Sequence, residues 1–445
     1  MFPALRNPNK RDLSLRVLIV TQYFWPESFR INDLALGLRD RGHDVTVLTG
    51  LPNYPDGKLF PGYRLWSRGE DYEGVRIVRV PMFTRGSSKG LRLLLNYASF
   101  AVSASLFGPL RARGKFDVIF VFEPSPITVG IPASVMKRFK RAPVVFWVQD
   151  LWPESLTATG AVKSPWVLRR VDGLVRRIYR RCDKVLVQSP GFIPHVEAQG
   201  VTSQQVEYFP NWAESFFEPV SLPEDAPENR EMPDGFRILF AGNIGVSQSF
   251  ETILAAAEQV RNRAEIQWVV LGDGRQKSFV EQQIRERGLT DTVHLLGRRP
   301  VETMPRYFAT ADALLCTLSR DPIFSLTIPS KLQSYLACGK PILAALDGQG
   351  AKVVEESGSG LAVHAEDAAG LAKAAVQLCD KTNIERNSMG QNGRDYFLRH
   401  FEREMLLDRL EAMFAEQAGA SAVVPFAKPS NNDQKEQGGE TECVA

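Results

Sequence analysis

The chain has 445 residues, of which 44% are apolar and 24% charged; these are the fractions of an ordinary globular protein, long enough for two domains of about 200 residues. Its formal net charge of +3 is too small to argue for a nucleic-acid partner. Five cysteines (Cys182, Cys316, Cys338, Cys379, Cys443) are scattered, odd in number and in no metal spacing, which speaks against a disulfide scaffold or a zinc site and fits a reducing compartment.

The N-terminus lacks an apolar core, so no signal peptide is expected there. Residues Arg16 to Thr21, with the apolar run Val17–Val20, have the pattern of a strand buried on both faces, and a helix is expected from Asn32 to Arg41. Strands follow at Val45–Thr49, Asp117–Phe122, Pro143–Val148 and Lys184–Gln188. Between them, Leu93 to Leu110 carries no charge; eighteen residues reach the lower limit for a membrane span, but Asn96, Ser99, Ser103, Ser105 and the Gly108-Pro109 break weaken that role. A helix that is buried or lies against a bilayer is the better reading. Lys137, Arg138, Lys140, Arg141, Arg169, Arg170, Arg176, Arg177, Arg180 and Arg181 concentrate basic charge in the next stretch, as a solvated face or one drawn to anionic lipid.

Residues 213–235 are rich in Pro, Glu and Asp without periodicity, and are expected to be a linker. A second strand series begins at Phe236–Gly242 and continues at Gln267–Gly272, Thr292–Gly297, Ala313–Thr317 and Pro341–Ala345. The expected division is therefore 1–212, linker 213–235, a second domain 236–400, a final helix within 401–418, and a disordered polar tail 419–445. Alternating strands and helices give parallel sheets covered on both faces, with ligands at the carboxyl ends of the strands and in the cleft between domains.

Segment 326–342 combines an expected cap at Pro329 and Ser330, a helix from Lys331 to Cys338, and a left-handed stop at Gly339 with Pro341 just beyond. A helix start with free amides beside a lysine suits a phosphate. Neither domain opens with a Gly-x-Gly-x-x-Gly turn, which disfavours a nicotinamide enzyme; there is also no Gly-Lys-Ser/Thr loop and no Asp-x-Asp pair, so no metal or other cofactor is expected.

Phe-Ala-Gly-Asn-Ile-Gly (240–245), Val-Leu-Gly-Asp-Gly (270–274), His-Leu-Leu-Gly (294–297), Ala-Asp-Ala-Leu-Leu (311–315), Ser-Lys-Leu-Gln-Ser-Tyr-Leu-Ala-Cys-Gly-Lys-Pro (330–341) and Glu-Ser-Gly-Ser-Gly-Leu (356–361) occur in that order. The second half thereby resembles the donor domain of the GT-B glycosyltransferases of family 4. The first half, through residues 22–27, 41–55 and 147–155, resembles a bacterial branch that builds O-antigen, capsule and colanic-acid-type polysaccharides and includes a fucosamine transferase. The match spans roughly residues 15–415.

The resemblance implies two facing Rossmann-like domains and metal-independent, retaining transfer from a nucleotide-diphosphate sugar on the second domain to an acceptor on the first. It implies a UDP-sugar, with an N-acetylated deoxy amino sugar such as L-fucosamine as one candidate, and an undecaprenyl-diphosphate-linked glycan as acceptor. The expected location is the cytoplasm, peripheral on the inner face of the membrane, against an anionic surface. Asp150 and Lys331 are the expected catalytic residues. Gly242, Asn243, Gln248, Gly272, Ser330, Gln333 and Ser334 join Lys331 at the donor, and Gln22, Phe24, Trp25, Glu27 and Glu154 stand at the acceptor. Asp150 would contact substrate or cap the next helix; Phe24 and Trp25 would stack on sugar or fill the core.

The chain departs from the family pattern at several points. Ser334 and Leu326 stand where a Glu-x7-Glu pair is usual, Asn243 and Gln248 where an arginine and a lysine are usual, and Gln149 where a histidine precedes Asp150. His43 reads as a turn histidine rather than a catalyst. Two other functions share the pattern: a UDP-sugar 2-epimerase of the same fold, and a non-catalytic sugar-nucleotide-binding module.

Overall fold

The computed structural model describes residues 14–66, 70–86, 90–158, 162 and 164–419. The expectations for the extreme N-terminus and for residues 420–445 lie outside them.

Eight strands form the first sheet: β1 (Arg16–Val20), β2 (Asp44–Thr49), β3 (Glu70–Tyr72), β4 (Val75–Arg79), β5 (Val118–Glu123), β6 (Val144–Val148), β7 (Lys184–Val187) and β8 (Val206–Tyr208). Their order is β3-β4-β2-β1-β5-β6-β7-β8, parallel except for the β3–β4 hairpin. Strand sequences such as Val-Leu-Ile-Val and Val-Val-Phe-Trp-Val are apolar throughout because helices cover both faces. Along β5, Ile119 and Val121 enter one core while Val118, Phe120 and Phe122 enter the other. The hairpin was not foreseen. Its first strand has three residues, and the turn is made by Glu73 (φ +51°) and Gly74 (φ +88°).

The second sheet holds β9 (Phe236–Ala241), β10 (Ile266–Leu271), β11 (Val293–Gly297), β12 (Ala313–Thr317), β13 (Ile342–Ala345) and β14 (Gly360–Val363), all parallel, in the order β11-β10-β9-β12-β13-β14. Strand order reverses between β1 and β5 in the first sheet and between β9 and β12 in the second. The loops leaving these strands flank each crevice.

Two connections differ from expectation. Residues 213–235 are not a bare linker: Phe217 and Met232 are buried in the second core, and the short helix Pro227–Glu231 is pinned by Glu228 to Arg306 (2.5 Å) and by Glu231 to Arg299 (2.7 Å). Apolar anchors spaced irregularly along the surface of a neighbour leave no period to detect. The final helix, Arg403–Gln417, returns to the first unit, where Leu406, Leu407, Leu410 and Phe414 join the core of β1, β2 and β5. Arg41 meets Glu404, Asp408 and Glu411 on it at 2.5 Å each. His43 contacts Glu411 at 2.8 Å, a structural role in keeping with a turn histidine.

Helix Gly90–Arg111 buries Asn96, Phe100, Ala101, Ala104 and Gly108. Its leucines face outward: Leu94 is 62% exposed, Leu106 63% and Leu110 73%. Among the described residues it is the one helix long and apolar enough to cross a membrane. The serines and Asn96 that count against a span on sequence lie on the inner or flanking sides. Asn96 accepts from Gln22 Nε2 at 2.8 Å and donates to the Phe83 carbonyl at 2.6 Å.

Candidate active site

Helix Ser330–Ala337 starts after Pro329, which occupies the N-cap position and supplies no side-chain cap. The expected hydroxyl cap is therefore absent: Ser330 is the first helical residue and is exposed. Gly339 takes the expected left-handed conformation (φ +64°) beyond Cys338, so the helix stops as its sequence predicts.

Lys331 folds back over β9. Its Nζ lies 3.6 Å from the centre of the Phe240 ring and donates to Gln248 Oε1 at 2.7 Å. Gly242 (φ +143°) leaves the space that the lysine stem occupies, since a Cβ there would stand 2.7 Å from Lys331 Cε. Gly272 in turn admits the Gly242 backbone, because its Cβ would lie 1.8 Å from the Gly242 carbonyl oxygen. These two glycines shape the loop floor and let the lysine approach; no side chain of theirs serves as a contact. Gln248 is fixed from behind by the Thr317 hydroxyl, which donates to its main-chain carbonyl at 2.6 Å. Burial pushes the Lys331 ammonium down to about 8, with the Cys316 thiol acting the other way. The lysine thus stands at a helix start against an aromatic ring and an amide oxygen, partners that leave its charge uncompensated.

Asn243 is exposed beside this loop, and Ser334 is half-buried one turn along the helix from Lys331. Gln333 does not reach the donor side. It is fully buried, and its amide, in the orientation that satisfies it, donates to the Pro329 and Ser330 carbonyls at 3.0 Å.

Across the cleft, Asp150 follows β6 and is half-buried. Burial raises its carboxyl to about 6, while the Ser155 hydroxyl and the Leu151 amide hold it down. Glu154 Oε1 lies 3.1 Å from His195 Nδ1 and accepts from it when that nitrogen carries the proton, and its Oε2 is buried without a partner among the described residues. Gln149 accepts from Asn211 at 2.8 Å.

Three expected acceptor residues belong elsewhere. Phe24 is fully buried in the core beside Tyr72, so the core-filling alternative holds. Gln22 is buried and ties its loop to Asn96. Glu27 turns inward, where its carboxylate accepts from the amides of Asn53 and Tyr54 at 2.7 Å and of Phe24 at 3.3 Å. Burial still lifts it to about 7. Trp25 is half-buried and stacked on Tyr72, with ring centres 4.8 Å apart.

The two units touch next to these groups. Ser189 donates to the Leu326 carbonyl, and Gly191 packs so closely that a Cβ would lie 2.7 Å from that oxygen. Residues missed by sequence reasoning include His195, Ser189 and Glu123. Glu123 had a signal: it ends the apolar run of β5 as Asp150 follows that of β6.

Residues 28–212 match the glycosyl transferase 4-like domain, and residues 235–381 match the glycosyl transferases group 1 domain. The chain is a family 4 glycosyltransferase of the GT-B fold. WcaI of Escherichia coli K12, assigned as a colanic acid biosynthesis glycosyl transferase, is 26% identical over 310 residues, covering 68% of this chain and 75% of WcaI. The fold is shared with sucrose-phosphate synthase from Thermosynechococcus elongatus (TM-score 0.68, 18% identity, 92% of this chain and 100% of that one). It is shared equally with HepE from Anabaena solved in complex with UDP (TM-score 0.66, 16% identity, 90% and 100%).

Proposed function

We propose that this glycosyltransferase moves a sugar, with retention of anomeric configuration and without a metal, from a UDP-sugar to an undecaprenyl-diphosphate-linked glycan in cell-surface polysaccharide biosynthesis. Lys331 carries the reading. An ammonium at an uncapped helix start, lacking a carboxylate partner, is set to receive the charge of a departing diphosphate. The UDP held by HepE and the colanic-acid assignment of WcaI support the donor and the pathway class.

In this mechanism the acceptor hydroxyl approaches the face that the diphosphate leaves. The C–O bond to the diphosphate breaks with positive charge building at the anomeric carbon, the acceptor oxygen bonds to that carbon, and its proton passes to the departing diphosphate oxygen. Lys331 and the helix amides stabilise the leaving oxygens. Asp150 orients the sugar and offsets the developing positive charge. An N-acetylated deoxy amino sugar such as L-fucosamine is the donor to test first.

A lipid-linked acceptor requires the enzyme at a bilayer. The outward stripe of Leu91, Leu94, Val102, Leu106 and Leu110 is joined by exposed Trp66 and Phe83. Next to it lie Phe139 and then the exposed Arg169, Arg170, Arg176 and Arg177 of helix Pro165–Tyr179. Apolar residues beside arginines suit the headgroup region of an anionic leaflet and support a peripheral position on the cytoplasmic face.

The test is UDP release from a panel of UDP-sugars, with and without undecaprenyl-diphosphate-linked acceptor. Transfer should need both substrates, survive a chelator, and fall about 10²–10³-fold in kcat in Lys331→Ala. Near-normal transfer by Lys331→Ala would overturn the reading. An epimerised sugar nucleotide formed without acceptor would instead identify a 2-epimerase, and binding without UDP release under any acceptor would identify a non-catalytic module.

A further inference from the structure

Glu123 ends β5 on the sheet face of Ile119 and Val121, fully inaccessible, and neither carboxyl oxygen has a hydrogen-bond partner among the described residues. It lies in register with Val148 of β6, and the Gln149 amide donates to its main-chain carbonyl at 3.1 Å. Asp150 leaves β6 immediately afterwards, so two carboxyls stand at adjacent strand ends.

The groups facing this pair are few. From the loop after β6 come Asp150 and the amides of Gln149 and Asp150, which face Glu123 and act against the effect of burial. From helix Pro165–Tyr179 comes Tyr179, whose buried hydroxyl also lacks a partner. Tyr97 of helix Gly90–Arg111 faces Asp150 and Arg85, and Glu154 faces Asp150 while paired to His195. The charge acting on Glu123 itself is Asp150, of like sign. An ionised carboxylate in such a place would be both desolvated and repelled, at a cost of several kcal/mol.

We propose that Glu123 and Asp150 form a carboxyl pair holding one proton, kept on Glu123, so that Asp150 alone is charged on its side of the cleft. Glu123 is then a positioning residue, acting through Asp150. As a neutral acid behind it, Glu123 adds no field that would favour protonation of Asp150, and the Asp150 charge is kept for the anomeric carbon. This consequence rests on the transferase mechanism above; the pair itself does not.

Infrared titration of the full chain, as wild type, Glu123→Gln and Asp150→Asn, tests it. The wild type should show a deuterium-sensitive protonated-carboxyl stretch above about pH 7, where ordinary carboxyls are ionised. Glu123→Gln should lose that stretch and keep the separate one of Glu27. In Asp150→Asn it should titrate about one pH unit or more lower, because the like charge that holds the proton has gone. Absence of the stretch from the wild type, or an unmoved midpoint in Asp150→Asn, overturns the pair. A Glu123 that merely packs would not respond to Asp150, and if Glu123→Gln fails to fold, the comparison of wild type with Asp150→Asn decides.

In UDP release from UDP-glucose, the acid limb set by Asp150 should stay in place in Glu123→Gln, since the amide is also uncharged. A shift of about one unit would overturn the proposal. Should the wild type turn over no UDP-sugar while the infrared result holds, the donor reading fails and the pair stands.

Discussion

Lys331 is a cation whose immediate partners are an aromatic ring and an amide oxygen, and burial pushes its ammonium down to about 8. A diphosphate bound as proposed would supply the missing anion and raise that value. Between the free and bound values the complex therefore holds more protons than its parts. UDP is already fully ionised there, since its last phosphate proton leaves near pH 6. Calorimetry of UDP binding in buffers of different ionisation heat should show proton uptake at about pH 8.5. The uptake from Lys331 should be missing in Lys331→Met at the same pH. Equal uptake by the variant would assign the proton elsewhere. This lysine was legible in the sequence, because a helix stop and a following strand fixed the helix start on which it sits. Glu27 was not. It also follows a first strand, but its loop doubles back and its carboxylate binds the amides of Phe24, Asn53 and Tyr54 instead of facing the cleft. Local sequence gives the position of a loop side chain along the chain and not its direction.

Helix Gly90–Arg111 buries Asn96 and turns most of its leucines outward, which is unusual for a surface helix in a water-facing protein. Each leucine buried in a bilayer surface contributes about 1.5–3 kcal/mol. Replacing Leu94 and Leu106 together by Gln should weaken binding to anionic vesicles, read by co-sedimentation, at least about a hundredfold, by about 3 kcal/mol or more. Both side chains are exposed, so the melting temperature should hardly change. Unchanged vesicle binding would remove the membrane role of this face. At this scale most of the parallel strands were readable because they are buried on both sides and hence continuously apolar; the short, half-buried edge strands β8 and β14 were not. The hairpin Glu70–Arg79 and the helix Pro227–Glu231 were not, because they are short and gain their order from neighbours distant in sequence.

Across the whole molecule, the chain crosses between its two units twice, once near residue 212 and again before helix Arg403–Gln417. Phe414 packs against Phe120 with ring centres 5.5 Å apart, so the last helix is part of the first core. Phe414→Ala should lower the unfolding free energy by about 3–5 kcal/mol, read by denaturant titration, and the loss should appear in the unit containing β1 and β5. A loss confined to the second unit would contradict the packing. The two-sheet architecture followed from strand spacing alone, whereas the return of the final helix did not. Its apolar face shows that it packs on something and does not say on which core.

That return has a consequence for synthesis. Leu34, Leu38 and Val47 are made early, but the residues that cover them, Leu406 to Phe414, come last. At about 5–20 residues per second, the N-terminal half waits roughly 20 seconds or more with an apolar surface open. The half proposed to rest on a bilayer is thus the half that stays unfinished while the ribosome works, and any translational stall leaves it bare.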